Sequence, residues 1–302
     1  MAETGPRDAE KRPDPQTWTI GTLVRWATDD FRTRGIESPR LDAELIVGHA
    51  LSLSRTQVIM HLDRPLEETE LAALRALVKR RRAREPMAYL KGEREFYGRM
   101  FAVDKRVLVP RPDTEVLIDV ALRRTADRAL SCRTLDLCTG SGCVALTLAK
   151  ERPTAHVFAT DISEEALAVA SDNRARLGAY RVAFATGDLF GAVPAEKTFD
   201  LIVSNPPYIP SADIEGLMPD VRDFEPRLAL DGGDDGLDLI RRIVAESPKY
   251  LANDGILALE LGAGEAPDVR ELFLAQGFQD VEVAKDIARI ERVVSGRRPA
   301  PR

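Results

Sequence analysis

The chain has 302 residues, of which 44% are hydrophobic and 30% charged, with a formal net charge of −6. This composition indicates a globular protein larger than one average domain, and no apolar run approaches the roughly 20 residues that span a bilayer. The acidic balance disfavours stable nucleic-acid binding, and three cysteines and three histidines without ligand spacing disfavour a metal centre, a disulfide framework or a histidine triad.

Residues 1–16 mix charges and prolines without a hydrophobic core, which reads as a disordered lead and not as a signal peptide or anchor. Free thiols fit a reducing, cytoplasmic setting. From Ile20 the apolar residues Ile20, Leu23, Val24, Ala27 and Phe31 form one helical stripe that Gly35 closes. Ser38-Pro39 reads as an N-cap with proline at the first helical position, and a further stripe runs through Leu71, Leu74, Leu77 and Val78. Residues 17–91 are therefore expected to form a small all-helical domain. Residues 1–95 carry 17 basic and 16 acidic side chains, leaving −7 for the remainder. The run Lys79-Arg80-Arg81-Arg82-Ala83-Arg84 reads first as a helix end favoured by the macrodipole, and second as a contact for an acidic or ribosomal partner.

Residues 92–110 are predicted to be a linker with a hairpin around Gly98, followed by a proline-stiffened segment and a helix over 115–130. Beyond Arg133 the pattern alternates. Strands are predicted at 134–138, 156–160, 181–185, 199–204, 256–261, 281–284 and 291–294, with helices at 143–150, 163–177, 237–251 and 266–276. Seven strands separated mostly by helices indicate a Rossmann-like, largely parallel α/β sheet over residues 111–296, leaving 297–302 as a frayed tail. Ligands of such sheets bind at the strands' carboxyl ends, near the topological switch point.

Three loops at those ends carry chemistry. Asp136-Leu137-Cys138-Thr139-Gly140-Ser141-Gly142 is a glycine-rich turn opening a helix, where backbone can approach a ligand closely. Asp161, ending the second strand, is placed to take both hydroxyls of a ribose, and Asp188-Leu189-Phe190 to flank an adenine. These features predict an adenosine ligand without choosing between NAD and S-adenosylmethionine. After the fourth strand, Asn205-Pro206-Pro207-Tyr208 sets a carboxamide, a backbone carbonyl and a ring in a rigid turn suited to gripping a flat NH2 group. A methyl donor gives such a loop a use, whereas hydride transfer does not.

In these residues the chain resembles the glutamine N5-methyltransferases of peptide chain release factors, the PrmC or HemK family. The resemblance rests on Arg94-Glu95-Phe96-Tyr97-Gly98, Pro110-Arg111-Pro112-Asp113-Thr114-Glu115, the glycine turn, Asn205 to Tyr208, and Glu225-Pro226 with Asp231-Gly232-Gly233. It extends over about residues 18–295. It implies a class I methyltransferase domain, S-adenosylmethionine as methyl donor and class 1 release factors as substrate, with the helical domain docking them. It also implies a donor site at Cys138, Thr139, Gly140, Ser141, Gly142, Asp161, Leu189 and Asn205, and catalytic roles for Asn205, Pro206, Pro207 and Tyr208. Phe96, Arg111, Thr114 and Asp188 are expected to line the pocket, and no metal is expected. Cys138 stands where a first glycine is common in the family, and Leu189 where an aromatic can stack on adenine. A ribosomal-protein glutamine methyltransferase and a nucleic-acid adenine N6-methyltransferase would share the Asn-Pro-Pro-Tyr loop. A dinucleotide oxidoreductase or a nucleotide-binding module would share only the glycine turn.

Overall fold

The computed structural model describes residues 18–128 and 130–300, so the predicted lead lies outside the described residues. The chain divides into two compact units between Leu90 and Lys91.

The first unit is helical. Helix α1 (Ile20–Thr33) starts from a reciprocal capping box in which the Thr19 hydroxyl accepts from Thr22 N–H and the Thr22 hydroxyl accepts from Thr19 N–H. Its buried stripe is the one read from the sequence. Helix α2 (Pro39–Leu51) begins after Ser38, but the Ser38 side chain makes no capping bond, and Pro39 supplies the start instead. Helix α3 (Arg55–Met60) was not predicted, although the Ser54/Gln57 capping box marks it. Helices α4 (Glu68–Arg82) and α5 (Met87–Lys91) follow. The basic run at the end of α4 is mostly consumed within this unit. Arg81, 5% exposed, donates to Asp42 at 2.8 Å and to the Glu85 carbonyl at 2.9 Å. Arg80 grips Glu85, Arg82 pairs with Asp30 at 3.1 Å, and Arg84 donates to the Arg34 carbonyl at 3.2 Å.

The second unit opens with the antiparallel hairpin β1 (Glu93–Phe96) and β2 (Arg99–Ala102), turned by Tyr97 and Gly98, both at positive φ. Helix α6 (Glu115–Arg124) is shorter than the sequence suggests. The Thr125 hydroxyl folds back onto the Ala121 carbonyl at 2.7 Å and a tight turn over Ala126–Arg128 follows.

The remaining elements are β3 (Arg133–Leu137), α7 (Cys143–Glu151), β4 (His156–Asp161), α8 (Glu164–Leu177), β5 (Val182–Thr186), β6 (Phe199–Ser204), α9 (Pro219–Arg222), α10 (Asp238–Glu246), β7 (Leu251–Glu260), α11 (Ala266–Ala275), β8 (Gln279–Lys285) and β9 (Glu291–Arg297). Helix α10 stops short of its predicted end because Pro248, which has no N–H, starts a separate turn over Ser247–Lys249. The sheet order is β5-β4-β3-β6-β7-β9-β8, parallel through β7 and antiparallel at β9 and β8. Strand β9 runs to Arg297 and Arg298 still exchanges backbone bonds with Asp254 and Gly255. The sheet thus holds two residues that the sequence reading assigns to the tail.

Both faces of the sheet are covered, which is why its strands read as nearly continuous apolar runs. Along β6, Leu201 and Val203 join a core with Leu117 and Ile118 of α6 and Val144 of α7, while Ile202 joins Ile240 of α10 and Phe273 of α11 on the other face. The chain leaves β3 toward β4 and β5, then returns to place β6 on the other side of β3. The switch point therefore lies at the carboxyl ends of β3 and β6.

Candidate functional site

The turn after β3 is built by left-handed backbone at Cys138 (φ 58°), Gly140 (φ 55°) and Gly142 (φ 79°). The two glycines serve different ends. A Cβ at Gly140 would meet nothing within 4 Å, whereas one at Gly142 would press on Leu146 and Ala170 at 3.0 and 3.1 Å. Asp136, 1% exposed, holds the turn by accepting from the Thr139 hydroxyl at 2.6 Å and from Ala145 N–H at 3.1 Å. Burial drives its carboxyl up to about 7, and the two hydrogen bonds only partly oppose this.

Asp161 at the end of β4 accepts from Gly140 N–H at 2.8 Å through one oxygen and from Ser163 N–H at 2.9 Å through the other. Ser163 caps α8 with its own hydroxyl, bonded to Ala166 N–H at 3.1 Å. Asp161 is thus freed from capping and braces the glycine turn. After β5, Leu189 has φ 48° and is buried, and its carbonyl accepts from the Thr160 hydroxyl at 3.0 Å. Asp188 is paired with Arg242 at 2.8 Å. Phe190, expected beside an adenine, instead stacks on Tyr250 in the core, with ring centroids 4.6 Å apart.

At the end of β6, the Asn205 amide Nδ2 donates to the Thr114 hydroxyl at 3.2 Å. Thr114 is 2% exposed, and Glu260, the last residue of β7, is 1% exposed. The Tyr208 hydroxyl donates to Glu260 Oε1 at 3.4 Å. Burial pushes the Glu260 carboxyl up to about 7, against the Tyr208 hydroxyl and the charge of Arg292. Burial, then the neighbouring Glu260, also raises the Tyr208 hydroxyl above its ordinary range. Arg111 is locked to Glu225 at 2.6 Å, and Glu225 also accepts from Val109 N–H at 3.3 Å.

The segment 230–236 supports the Asn-Pro-Pro-Tyr loop from behind. Ile209 N–H bonds the Leu230 carbonyl, and Gly232 N–H bonds the Ile209 carbonyl. A Cβ at Gly232 would lie 2.8 Å from Tyr208 Cα, and one at Gly236 2.3 Å from the Tyr208 carbonyl oxygen.

These loops enclose a cavity of about 320 Å³. Of the predicted residues, Cys138, Thr139, Gly140, Ser141, Asp161, Asp188, Leu189, Asn205, Pro207, Arg111 and Thr114 line it. Four do not. Gly142 packs against α7 and α8 residues, Pro206 is buried, and Tyr208 is turned toward Glu260. Phe96, predicted to line the pocket, is 1% exposed and lies edge-on to Phe101 in the core, because β1 turns that face of the hairpin inward. Sequence reading missed Asp136 and Ile162, which line the cavity, and Glu260, which accepts from Tyr208. The signal for Asp136 and Glu260 is an acid set in an otherwise apolar strand. Ile162 carried no signal beyond its place after Asp161. Cys138 and Cys143 also line the cavity, and burial pushes both thiols up to about 12, which disfavours the thiolate.

Comparison with known proteins extends this picture. The PrmC N-terminal domain family matches residues 22–92 and the methyltransferase small domain family matches residues 113–217. A release factor glutamine methyltransferase of Geobacter sulfurreducens is 47% identical over 283 residues, covering 94% of this chain and 98% of the relative. The chain belongs to the release factor glutamine methyltransferase family. A second member of that family, from Nitratidesulfovibrio vulgaris, is 43% identical and covers 93% of this chain and 95% of its own length. A methyltransferase structure from Pyrococcus furiosus, with a TM-score of 0.52 and 21% identity, covers 68% of this chain and 91% of that one and supports the fold alone. Membership makes the protein a methyltransferase and its seven-stranded unit a methyltransferase domain.

Proposed function

We propose that the protein transfers a methyl group from S-adenosylmethionine to the side-chain amide nitrogen of a glutamine in class 1 peptide chain release factors, modulating translation termination in the cytoplasm. The observation that carries this reading is the Asn205 amide bond to Thr114. With its NH2 turned to Thr114, Asn205 keeps its carbonyl oxygen free as an acceptor, and Asn205 lies at the cavity wall.

The donor site fits an adenosine carrying a positive sulfonium. A carboxylate offers about four acceptor positions. Gly140 and Ser163 occupy two at Asp161, and the other two suit a pair of ribose hydroxyls. Leu189 and Ile162 supply apolar cavity wall for a flat base. Bound there, S-adenosylmethionine supplies an electrophilic methyl group.

The residues of the chain handle the nucleophile. A glutamine nitrogen is unreactive because its lone pair is delocalised into the carbonyl. The Asn205 oxygen and the Pro206 carbonyl each accept one of its hydrogens, which aligns the nitrogen and stabilises positive charge as it develops. Pro206 and Pro207 hold these acceptors in place because their φ angles are restricted. The methylated nitrogen is acidic and loses its proton after transfer, so no strong base is needed beforehand. The helical unit docks the release factor, through surfaces other than the largely self-paired run 79–84.

The test supplies labelled methyl donor with release factor, ribosomal protein, tRNA and DNA in separate reactions. Label at a glutamine side-chain nitrogen of the release factor is expected, and label confined to another acceptor refutes the assignment. Asn205→Ala is expected to lower turnover by on the order of 100- to 1,000-fold with donor saturating. A near-normal rate removes Asn205 from the mechanism.

A further inference from the structure

Exposed apolar side chains are ordinary when scattered over a surface, and they carry meaning where they meet a cavity. Among the described residues, two large apolar side chains are more than half exposed and also line the cavity: Ile162 at 53% and Leu228 at 58%. A residue that does both stands at the cavity mouth.

The two stand on different sides of that mouth. Ile162 follows Asp161, which bonds the glycine turn, so it borders the space assigned to the donor. Leu228 belongs to a strap, residues 225–231, that is fastened at both ends. At one end the buried Glu225 accepts from Arg111 Nη2 at 2.6 Å and from Val109 N–H at 3.3 Å. At the other, the Leu230 carbonyl accepts at 3.0 Å from the N–H of Ile209, two residues beyond the cavity-lining Pro207. Leu228 is thereby tied to the loop 205–208, on the side where the substrate nitrogen is gripped.

Between its ends the strap holds its own shape. Arg227–Ala229 form a single tight turn, in which Ala229 N–H bonds the Pro226 carbonyl and Leu230 N–H bonds the Arg227 carbonyl, each at 2.9 Å. Arg227 also pairs with Asp231 at 3.2 Å. A side chain presented on such a braced turn gives up little freedom when it is covered, which favours contact. The cavity face of the strap is apolar, formed by Pro226, Leu228 and Ala229. The charged amino-acid end of the donor gains nothing from an apolar wall, whereas a polypeptide entering with its glutamine brings flanking groups that such a wall can cover.

We propose that Leu228 is a substrate-contact residue that covers the polypeptide immediately beside the glutamine held at Asn205. The proposal rests on the acceptor role given above to the loop 205–208, and the assays keep the two apart. Leu228→Ser removes the contact from an exposed position, where substitution disturbs folding little. Steady-state rates are measured at saturating donor with intact release factor and with a short peptide carrying the glutamine. KM for both should rise by about 4- to 20-fold, the equivalent of losing cover over somewhat more than half of a leucine side chain, with kcat and donor Kd unchanged. Leu228→Met keeps an apolar surface and should hold KM near the parent value. Ile162→Ser should do the opposite of Leu228→Ser, weakening donor binding in calorimetry while leaving KM for the peptide in place.

An unchanged KM in Leu228→Ser, or a rise in donor Kd in its stead, overturns the proposal. A rise for release factor without one for the peptide does so too, because it moves the contact away from the glutamine. If the parent protein places its label on an acceptor other than a release factor glutamine, the substrate assignment fails, and the KM of Leu228→Ser for that acceptor then decides on Leu228 alone.

Discussion

Asp161 braces the glycine turn, since Gly140 N–H and Ser163 N–H both bond its carboxylate. Asp161→Asn keeps one carbonyl oxygen and exchanges the other acceptor for a donor. Loss of a hydrogen bond to a charged group costs about 1.5–3 kcal/mol, so donor Kd should rise by roughly 10- to 100-fold in calorimetry. Unchanged affinity ends the ribose assignment. Glu260 makes a different kind of prediction. Burial raises its carboxyl from an ordinary value of 4.5 to about 7, so the folded protein binds this proton more tightly than the unfolded chain. Its contribution to stability is full below about pH 4.5 and is lost as pH rises through 7. Glu260→Leu removes that dependence. The variant's melting temperature relative to the parent should therefore climb between pH 5 and pH 8, and a gap that is flat or shrinks contradicts the shift. Cys138 was legible as a departure from the family's glycine, but not as a residue with φ 58°, because backbone conformation does not show in side-chain identity.

At the scale of elements, β6 was read to the residue and its loop was recognised, since a fully buried strand followed by Asn-Pro-Pro leaves few alternatives. The support behind that loop was not legible. Gly232 and Gly236 lie 24 or more positions after Tyr208 in sequence, yet a Cβ on either would collide with Tyr208 backbone. Gly236 also has φ 82°. Gly236→Ala should destabilise the protein by more than about 1 kcal/mol through backbone strain and the 2.3 Å approach, and should lower methyl transfer by displacing Tyr208. Thermal unfolding and kcat measured together check this, and a variant normal in both shows that the loops have room to separate. Helix ends were also misjudged. Helix α6 stops at Arg124 because the Thr125 hydroxyl competes for a helix carbonyl, and α10 stops ahead of Pro248, so local hydrogen bonding overrode the periodicity.

For the whole molecule, the methyltransferase unit has cores on both faces of its sheet and the helical unit has a core of its own. A fragment spanning residues 91–302 is expected to bind donor with near-normal Kd and to methylate a glutamine peptide. It should need far more intact release factor than the full chain does for the same rate. Equal losses on peptide and protein would show that the helical unit does not dock the substrate. The division into helical and alternating halves, the strand order of appearance and the three chemical loops could be read from the chain, because periodicity and turn residues act over a few neighbours. That reading could not assign Phe96 to the core, Phe190 to a stack on Tyr250, or Glu260 to the carboxyl that Tyr208 reaches. Those placements depend on which strands become neighbours and which face each turn presents, and they arise only when β6 returns to lie between β3 and β7.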